Sequence, residues 1–279
     1  MSAGGAPQGT SEGKIPPILL VGCGRMGSAM LSGWRERGLA PSIAVDPARA
    51  AQAFAGPDMT VLADAAAIPA GFAPAAVVLA VKPQNAAATL PSYGRFAGQV
   101  VFLSIMAGRT IGGIRSLLGG DPAIVRAMPN TPAAVRQSIT VACGSPTVTT
   151  AQRTLADRLL QAIGIVAWAD DEALLDPVTA VSGSGPAYVF LLAELMEKAA
   201  VEQGIPPDLA RMLARQTVSG SGALLAASPE DTAALRVAVT SPGGTTAAAL
   251  NILMDAKAWP ETLSKAIAAA TARSRELAG

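Results

Sequence analysis

Residues 18–27, ILLVGCGRMG, join an apolar run of strand length to the glycine spacing G-x-G-x-x-G. Ser28–Trp34 then has the composition of a helix, and Asp46 ends the next apolar run, 19 residues after Gly27. Strand, glycine turn, helix, second strand and terminal acid follow the order of a dinucleotide-binding βαβ unit. An ordinary glycine-rich turn needs none of these flanking features, so the pattern favours a site for a nicotinamide cofactor.

Each glycine of this loop has a separate expected role. Gly22 permits the tight turn, Gly24 lets a pyrophosphate approach the backbone, and Gly27 allows close helix–strand packing. The helix N-terminus adds amides and a partial positive charge for phosphate. The sequence leaves two interpretations open for Cys23, a thiol whose pKa is lowered by the helix N-terminus and a small loop residue without reactivity. The predicted cofactor contacts in the loop are Gly22, Cys23, Gly24, Arg25, Met26 and Gly27.

Asp46 bears on the choice of cofactor. An acid at the end of the second strand accepts hydrogen bonds from the ribose hydroxyls of NADH and repels the 2′-phosphate of NADPH. Arg49 is close enough in sequence to accommodate that phosphate, although a solvated arginine on the following helix is the simpler interpretation. The sequence therefore predicts NAD(P)H as the cofactor, with a slight preference for NADH.

The overall composition narrows the chemistry. The 279 residues are 51% hydrophobic, and 21 Lys and Arg balance 20 Asp and Glu, which gives no electrostatic case for a nucleic-acid or anionic-membrane partner. Histidine is absent and the two cysteines lack metal-ligand spacing, so neither a histidine-dependent triad nor a metal site is expected. Catalysis must use hydroxyls, backbone amides, carboxylates, lysine or a cofactor.

The N-terminal segment and the apolar runs bear on localisation. Residues 1–14 are rich in Gly, Ser and Ala and lack an apolar run, which predicts a disordered tail rather than a signal peptide. The most apolar stretch, Ala75–Val81, is too short to span a bilayer. A soluble, cytoplasmic protein without a membrane partner is the resulting expectation.

The expected fold class is α/β, with a dinucleotide-binding domain followed by an all-helical domain. Over 15–168, strand-length apolar runs alternate with helical segments, which predicts parallel strands joined by crossover helices. The predicted strands are 18–21, 43–45, 77–81, 100–105, 124–128, 138–142 and 165–168, and the predicted helices between them are 28–37, 47–55, 110–118 and 151–163. Residues 169–279 lose the strand signals and predict helices only.

The helical domain has wide apolar faces, for example at Val189, Leu191 and Leu195. Helices of this length cannot easily bury such faces among themselves. The sequence therefore predicts a homo-oligomer built through this domain. Packing of the same faces against the first domain is the alternative interpretation.

Polar or small residues follow several other predicted strands. Ala80–Pro83 and Ile105–Ala107 each cover the end of a predicted strand and the residues just after it, where ligands bind in a parallel sheet. The alternatives are a surface lysine at Lys82 and a plain strand-to-helix turn after Ser104. Asn130, within the sequence MPNTP, offers its amide to a ligand or caps its own turn.

Thr240–Thr246, TSPGGTT, is the most informative of these polar segments because it precedes a predicted helix start near Gly244 or Thr245. Glycines and hydroxyl residues at a helix N-terminus offer free amides, hydroxyl donors and the positive end of the helix dipole. A capped helix after a flexible turn is the alternative. The run is longer and richer in glycine than a cap needs, so we expect it to bind a small carboxylate.

Together, these motifs resemble those of the pyrroline-5-carboxylate reductase family. The matching segments, in family order, are Gly22–Gly27, Ala80–Pro83, Met128–Pro132, Ser182–Tyr188 and Thr240–Thr246. The last is close to the family signature and is much more specific than the glycine loop. The resemblance implies a Rossmann dinucleotide-binding domain at 15–168 and a helical dimerisation and substrate domain at 169–279. It also implies dimers that assemble further, often into decamers, with the active site between the Rossmann domain of one subunit and helices of its partner.

The resemblance further implies the reduction of L-1-pyrroline-5-carboxylate to L-proline, with named residues in the site. The implied cofactor contacts beyond the glycine loop and Asp46 are Ala80, Val81, Lys82, Pro83, Ile105, Met106, Ala107 and Asn130. The implied substrate contacts are Ser241, Gly243, Gly244, Thr245 and Thr246, together with Glu172, which matches an acid near the substrate in relatives. A carboxylate that merely starts a helix is the alternative for Glu172.

Imine reduction needs a hydride at carbon and a proton at nitrogen, and neither requires histidine. Ser241 and Thr246 are the catalytic candidates, with Thr246 donating to the ring nitrogen or to the product amine. Two other enzyme classes stay open, a broader imine reductase and a β-hydroxyacid dehydrogenase, although Lys198 lies too late in its helix for the base of the latter. A nicotinamide-binding sensor or scaffold is the non-enzyme alternative, and the intact 241–246 run argues against it.

Overall fold

A computed structural model describes residues 14–278, so the predicted disordered tail, apart from Lys14, lies outside the described residues. Contacts within the chain define two compact units. The first comprises the chain up to Gly183 together with the segment from Arg273 onward, and the second is Ser184–Ala272. The predicted domain boundary between 168 and 169 lies at the end of the last strand, earlier in the chain than the division after Gly183.

The first unit, called the sheet unit here, is built on eight strands. They are β1 (Ile18–Val21), β2 (Ser42–Val45), β3 (Met59–Leu62), β4 (Ala76–Leu79), β5 (Val101–Ser104), β6 (Ala123–Met128), β7 (Ser138–Gly144) and β8 (Gly164–Trp168). Their spatial order is β3-β2-β1-β4-β5-β6-β7-β8. Successive strands are added on one side of β1 and, from β4 onward, on the other side. This reversal of strand order creates a crevice at the carboxyl ends of β1 and β4.

The helices of the sheet unit flank these strands. They are α1 (Arg25–Glu36), α2 (Ala86–Thr89), α3 (Ile111–Leu118), α4 (Thr150–Gln161) and α5 (Leu175–Val178), with 3-10 helices between them. Strands β1, β4 and β5 are buried along their whole length, as central parallel strands with both faces covered must be. Trp34 of α1 packs on one face with no exposed surface, and Phe102 is equally buried on the other.

Three sequence predictions for this unit were wrong in detail. The strand β3 was not predicted, and the helix predicted at 47–55 is a 3-10 helix over Arg49–Phe54. Strands β6 and β7 are antiparallel, although all other neighbours in the sheet are parallel as predicted. The connection 129–137 is too short for the crossover that a parallel pair requires.

The second unit, called the helical unit here, begins with α6 (Gly185–Glu202) and α7 (Pro207–Ala227). It continues with α8 (Thr232–Ala238), α9 (Thr245–Leu253) and α10 (Trp259–Ala278), whose last turns belong to the sheet unit. No strand occurs between 169 and 278, which confirms the all-helical prediction. Of the residues described in this unit, only Ala210 and Ala214 are buried.

The apolar faces predicted on α6 are exposed within one chain. Val189 is 45% exposed, Leu191 51% and Leu195 53%. The helical run Glu172–Glu202 also has the length and apolar composition of a membrane span, a property that core helices of soluble proteins share. The expectation drawn from Ala75–Val81 overlooked this run because small and polar residues, among them the Ser-Gly repeat 182–185, interrupt it.

The end of α10 packs within the sheet unit. The Ser274 hydroxyl, on a buried residue, donates to the Asp176 carboxylate at 2.7 Å. Gly108 has φ +68°, and a Cβ placed on it would lie 3.1 Å from the carbonyl oxygen of Leu277. The turn that follows β5 is therefore packed against the last turns of the final helix.

Candidate functional site

The glycine loop between β1 and α1 has the geometry that its sequence predicts. Gly22 has φ +97°, and a Cβ on it would lie 2.8 Å from the Ala80 carbonyl oxygen. A Cβ on Gly27 would lie 2.3 Å from the Gly22 carbonyl oxygen, whereas one on Gly24 would meet nothing within 4 Å. Gly22 and Gly27 thus allow close backbone packing, and Gly24 leaves open space at the N-terminus of α1 for a pyrophosphate. The loop fits a dinucleotide.

Asp46 contacts this loop directly. Its Oδ2 accepts a hydrogen bond from the Cys23 amide at 2.6 Å, and its Oδ1 accepts one from the Ala48 amide at 2.8 Å. A carboxylate can accept further bonds through its remaining lone pairs. Asp46 therefore shapes the glycine loop and can still receive ribose hydroxyls.

A cleft of about 540 Å³ opens beside Asp46 at the carboxyl ends of β1 and β4. Asp64, which caps the short helix after β3 by accepting from the Ala66 amide at 2.7 Å, also lines it. Arg49 is exposed and is not among the described residues that form the walls. The predicted cofactor residues that this cleft brings together are Gly22, Gly24, Asp46, Ala80, Val81 and Lys82.

Asp64 was not predicted from the sequence. It follows β3, and the acid could have been placed at the sheet edge only if that strand had been recognised. Two carboxylates thus line the cleft. Among the described residues of its walls, the cation is Lys82, an exposed residue that follows β4.

The other predicted cofactor segment, Ile105–Ala107, lies just beyond β5, next to the end of β4. The Ile105 amide donates to the Leu79 carbonyl oxygen at 3.1 Å. Arg109 Nε donates to the Pro83 carbonyl oxygen at 3.0 Å, which ties this segment to the one after β4. The side chain of Met106 is buried in the core, so only its backbone can face a ligand.

Asn130 has a structural role in this fold. Its Nδ2 donates to the Ser182 carbonyl oxygen at 3.1 Å. Its Oδ1 accepts from the Ser138 hydroxyl at 3.0 Å and from the Ile139 amide at 3.2 Å. These contacts hold the turn between β6 and β7, which is the alternative that the sequence left open for this residue.

Glu172 also has protein partners. Its Oε1 accepts from the Ile111 amide at 2.7 Å and from Arg126 Nη1 at 2.9 Å. Glu172 begins a short 3-10 helix, Glu172–Leu174, as the simpler interpretation expected, and its carboxylate also meets the first residue of α3. Arg126, a buried cation on β6, was given no role from the sequence, although a single charge in an otherwise apolar strand was a usable signal.

The predicted substrate residues Ser241, Gly243, Gly244, Thr245 and Thr246 lie in the helical unit. Gly244 precedes the first residue of α9, and no side-chain hydrogen bond caps this helix. Gly243 has φ +70°, and the Gly244 amide donates to the Ser241 carbonyl oxygen at 3.0 Å, which closes a tight turn. An uncapped helix start beside Ser241 and Thr246 hydroxyls is suited to a small carboxylate.

The two cysteines are not activated thiols. Burial raises the pKa of Cys23 to about 11, and the nearby Asp46 carboxylate adds to the rise. Of the two interpretations that the sequence left open for Cys23, the small loop residue therefore fits, and the activated thiol does not. Burial likewise raises the pKa of the Cys143 thiol, with the Glu172 carboxylate contributing.

Comparisons with known proteins agree with this architecture. A family model described as pyrroline-5-carboxylate reductase dimerisation matches residues 172–277, and one described as NADP oxidoreductase, coenzyme F420-dependent, matches 17–108. The pyrroline-5-carboxylate reductase of Pseudomonas aeruginosa is 36% identical over 266 residues, which cover 94% of this chain and 97% of that protein.

Solved structures give the same result. A pyrroline-5-carboxylate reductase from Coxiella burnetii aligns with a TM-score of 0.87 and 31% identity, covering 95% of this chain and 99% of that chain. The Plasmodium falciparum pyrroline carboxylate reductase with NADP bound aligns with a TM-score of 0.81 and 26% identity, covering 95% and 99%. The chain belongs to the pyrroline-5-carboxylate reductase family.

Proposed function

We propose that this chain reduces L-1-pyrroline-5-carboxylate to L-proline with NAD(P)H, the last step of proline biosynthesis. The observation that carries the proposal is the uncapped N-terminus of α9 behind the turn Ser241–Gly244, a site for a small carboxylate in a chain that also has a dinucleotide loop. Family membership supports the choice of an imine substrate over the hydroxyacid and scaffold alternatives.

The 241–246 turn provides the substrate contacts in this proposal. The amides at the start of α9 and the Ser241 hydroxyl bind the substrate carboxylate, assisted by the partial positive charge of the helix. Anchoring the carboxylate fixes the orientation of the ring, and orientation is the main requirement for hydride transfer. Thr246, the second residue of α9, donates a hydrogen bond to the ring nitrogen in this proposal.

The reaction balances with few protein groups. Nicotinamide, when bound, supplies the hydride. One hydride adds to the imine carbon and one proton to the ring nitrogen, which yields the secondary amine and the oxidised cofactor. The substrate arrives protonated or takes its proton from water or the Thr246 hydroxyl, so the absence of histidine is no obstacle.

For the cofactor, we propose that NADH is slightly preferred over NADPH. Asp46 and Asp64 line the cleft expected to hold the adenosine end, and the exposed Arg49 is not part of its described walls. The family comparisons include an NADP-bound relative, so both cofactors are expected to bind. The preference rests on charge repulsion between two carboxylates and a 2′-phosphate.

The proposed assembly is a homodimer through the helical unit, with further assembly to a decamer. The dimerisation family model spans 172–277, the segment whose apolar residues are exposed within one chain. We further propose a soluble, cytoplasmic enzyme in which a second copy covers the apolar face of Glu172–Glu202. No nucleic acid takes part.

A direct assay tests the reaction. Purified protein is mixed with NADH or NADPH and L-1-pyrroline-5-carboxylate, and absorbance at the reduced-nicotinamide band is followed together with proline formation. We expect oxidation of the cofactor matched by proline in equal amount. Cofactor oxidation that requires a different imine or a hydroxyacid would contradict the proposed substrate.

A further inference from the structure

Glu172 connects three segments that are far apart in sequence. Its Oε1 accepts from the Ile111 amide at 2.7 Å and from Arg126 Nη1 at 2.9 Å. Ile111 is the first residue of α3, and Arg126 lies on β6. One carboxylate oxygen therefore joins a helix start, a central strand and the segment that leads into α5.

The ion pair with Arg126 is shielded from solvent. The side chain of Arg126 is 5% exposed and that of Glu172 is 28% exposed. A buried guanidinium requires a compensating charge, and Glu172 is the carboxylate in contact with it. In the sheet register, Arg126 lies opposite Ser104, the last residue of β5.

The bond to the Ile111 amide acts on the segment just before α3. A helix start leaves its first amides without partners inside the helix. At α3, the Thr110 hydroxyl oxygen accepts a hydrogen bond from the Gly113 amide, and the Glu172 carboxylate accepts one from the Ile111 amide. Ile105–Ala107 and Gly108 lie between this fixed point and the end of β5.

A second contact extends the connection to the neighbouring strand. Arg109 Nε donates to the Pro83 carbonyl oxygen at 3.0 Å. The segments after β4 and β5 are thus held together, and both lie at the sheet edge where the glycine loop opens. Glu172 fixes one end of this pair of segments through Ile111.

We propose that Glu172 is a positioning residue for the cofactor, not a substrate ligand. By holding the Ile111 amide and neutralising Arg126, it fixes the backbone of Ile105–Ala107 where the nicotinamide ring is expected. This role differs from the substrate contact implied by the family resemblance. It rests on the proposed function only for its effect on turnover, because the contacts and cofactor binding can be measured without the substrate.

The test compares Glu172→Ala, Glu172→Gln and the double variant Arg126→Met/Glu172→Ala. Cofactor affinity is measured by NADH fluorescence titration, and hydrogen exchange is followed at the Ile111 amide. We expect Glu172→Ala to weaken NADH binding about tenfold and to speed exchange at Ile111. Glu172→Gln keeps an acceptor oxygen for the Ile111 amide, so both measurements should stay within about threefold of the parent. The loss of the charge opposite Arg126 should lower only its thermal midpoint.

The double variant separates positioning from charge neutralisation, because it removes the unpaired guanidinium and leaves Ile111 without its acceptor. We expect its thermal midpoint to recover toward that of the parent while NADH binding and Ile111 exchange stay altered. Recovery of all three would show that Glu172 only neutralises Arg126, and would overturn the proposal.

Kinetics with the substrate distinguish positioning from substrate contact. Positioning predicts a lower kcat with little change in the KM for pyrroline-5-carboxylate, whereas a raised substrate KM with unchanged NADH affinity would overturn it. Glu36→Ala, which removes a surface partner of Arg136, is the matched control and should change none of these values. If the parent binds NADH but does not reduce the imine, the proposed reaction fails while the binding and exchange results still decide the role of Glu172.

Discussion

The sheet unit and the helical unit differ in what they bury. In the sheet unit, three central strands and side chains as large as Trp34 and Phe102 have essentially no exposed surface. In the described part of the helical unit, two alanines are buried while leucines along α6 are half exposed. The cofactor loop therefore belongs to a unit that one chain completes alone. The 241–246 turn belongs to a unit whose apolar faces stay exposed within one chain.

The strongest test of this difference places a charge on α6. Burying a leucine stabilises a contact by about 1.5–3 kcal/mol, and a symmetric dimer repeats the loss in both copies. We expect Leu195→Asp to weaken self-association at least a hundredfold and to abolish most activity at nanomolar concentration. Sedimentation velocity measures assembly, and circular dichroism reports the loss of helix.

The control carries the same charge on the sheet unit. Ile165 on the edge strand β8 is 70% exposed, and charged residues are well tolerated at sheet edges. Ile165→Asp should keep both assembly and activity. A parent protein that sediments as a monomer would remove the distinction between the two units.

The second test acts on the cofactor loop. A Cβ on Gly27 would lie 2.3 Å from a backbone oxygen, so α1 or the loop must move. We expect Gly27→Ala to weaken NADH binding by about a hundredfold, which corresponds to about 2.7 kcal/mol, with assembly unchanged. Gly112→Ala on α3 meets nothing within 4 Å and should stabilise slightly or be neutral. Equal NADH affinity for both variants would contradict the role of the loop.

The third test acts on the helical unit without disturbing assembly. Thr246→Ala removes the proposed donor to the ring nitrogen, and turnover should fall about tenfold if about 1.4 kcal/mol of transition-state stabilisation is lost. NADH affinity should not change, because the glycine loop is untouched. Thr232→Ala, at the exposed start of α8, is the control for loss of a threonine near a helix N-terminus. Parent-like steady-state kinetics for Thr246→Ala would exclude the donor role.

The smallest expected effect concerns the choice of cofactor. Asp46→Ser keeps a group that can accept from the Cys23 amide but removes the charge. We expect the ratio of kcat/KM for NADPH to that for NADH to rise about fivefold, or about 1 kcal/mol. Asp121→Ser, an exposed acid before β6, should leave the ratio unchanged. A ratio that does not move in Asp46→Ser would assign discrimination to other groups, with Asp64 the first candidate.

Local pattern was sufficient for most of the fold. Apolar runs located seven of the eight strands, and glycine spacing identified the cofactor loop. The strand β3 was missed because it lies at the sheet edge and is only alternately buried, so it lacks a continuous apolar run. The antiparallel pairing of β6 and β7 had a readable signal in the short connection 129–137, which leaves no room for a crossover helix.

Contacts between distant segments could not be read in the same way. Asp46 was placed correctly at a strand end, but its bonds to the glycine loop depend on where that loop turns. Glu172 meets residues 61 and 46 positions away, and no local spacing specifies such a pair. The raised pKa of Cys23 similarly depends on burial and on the nearby Asp46 carboxylate, neither of which the local sequence shows.

The return of α10 to the sheet unit has a consequence for the order of synthesis. Ser274 contacts Asp176 and Leu277 contacts Gly108, and in both pairs the segment 184–272 separates the two partners in the sequence. At roughly 5–20 residues per second, a ribosome needs on the order of 5–20 s to make that segment. During this interval the turn after β5 lacks its packing partner on the growing chain. The sheet unit therefore cannot complete the packing of the turn after β5 until the helical unit has been synthesised.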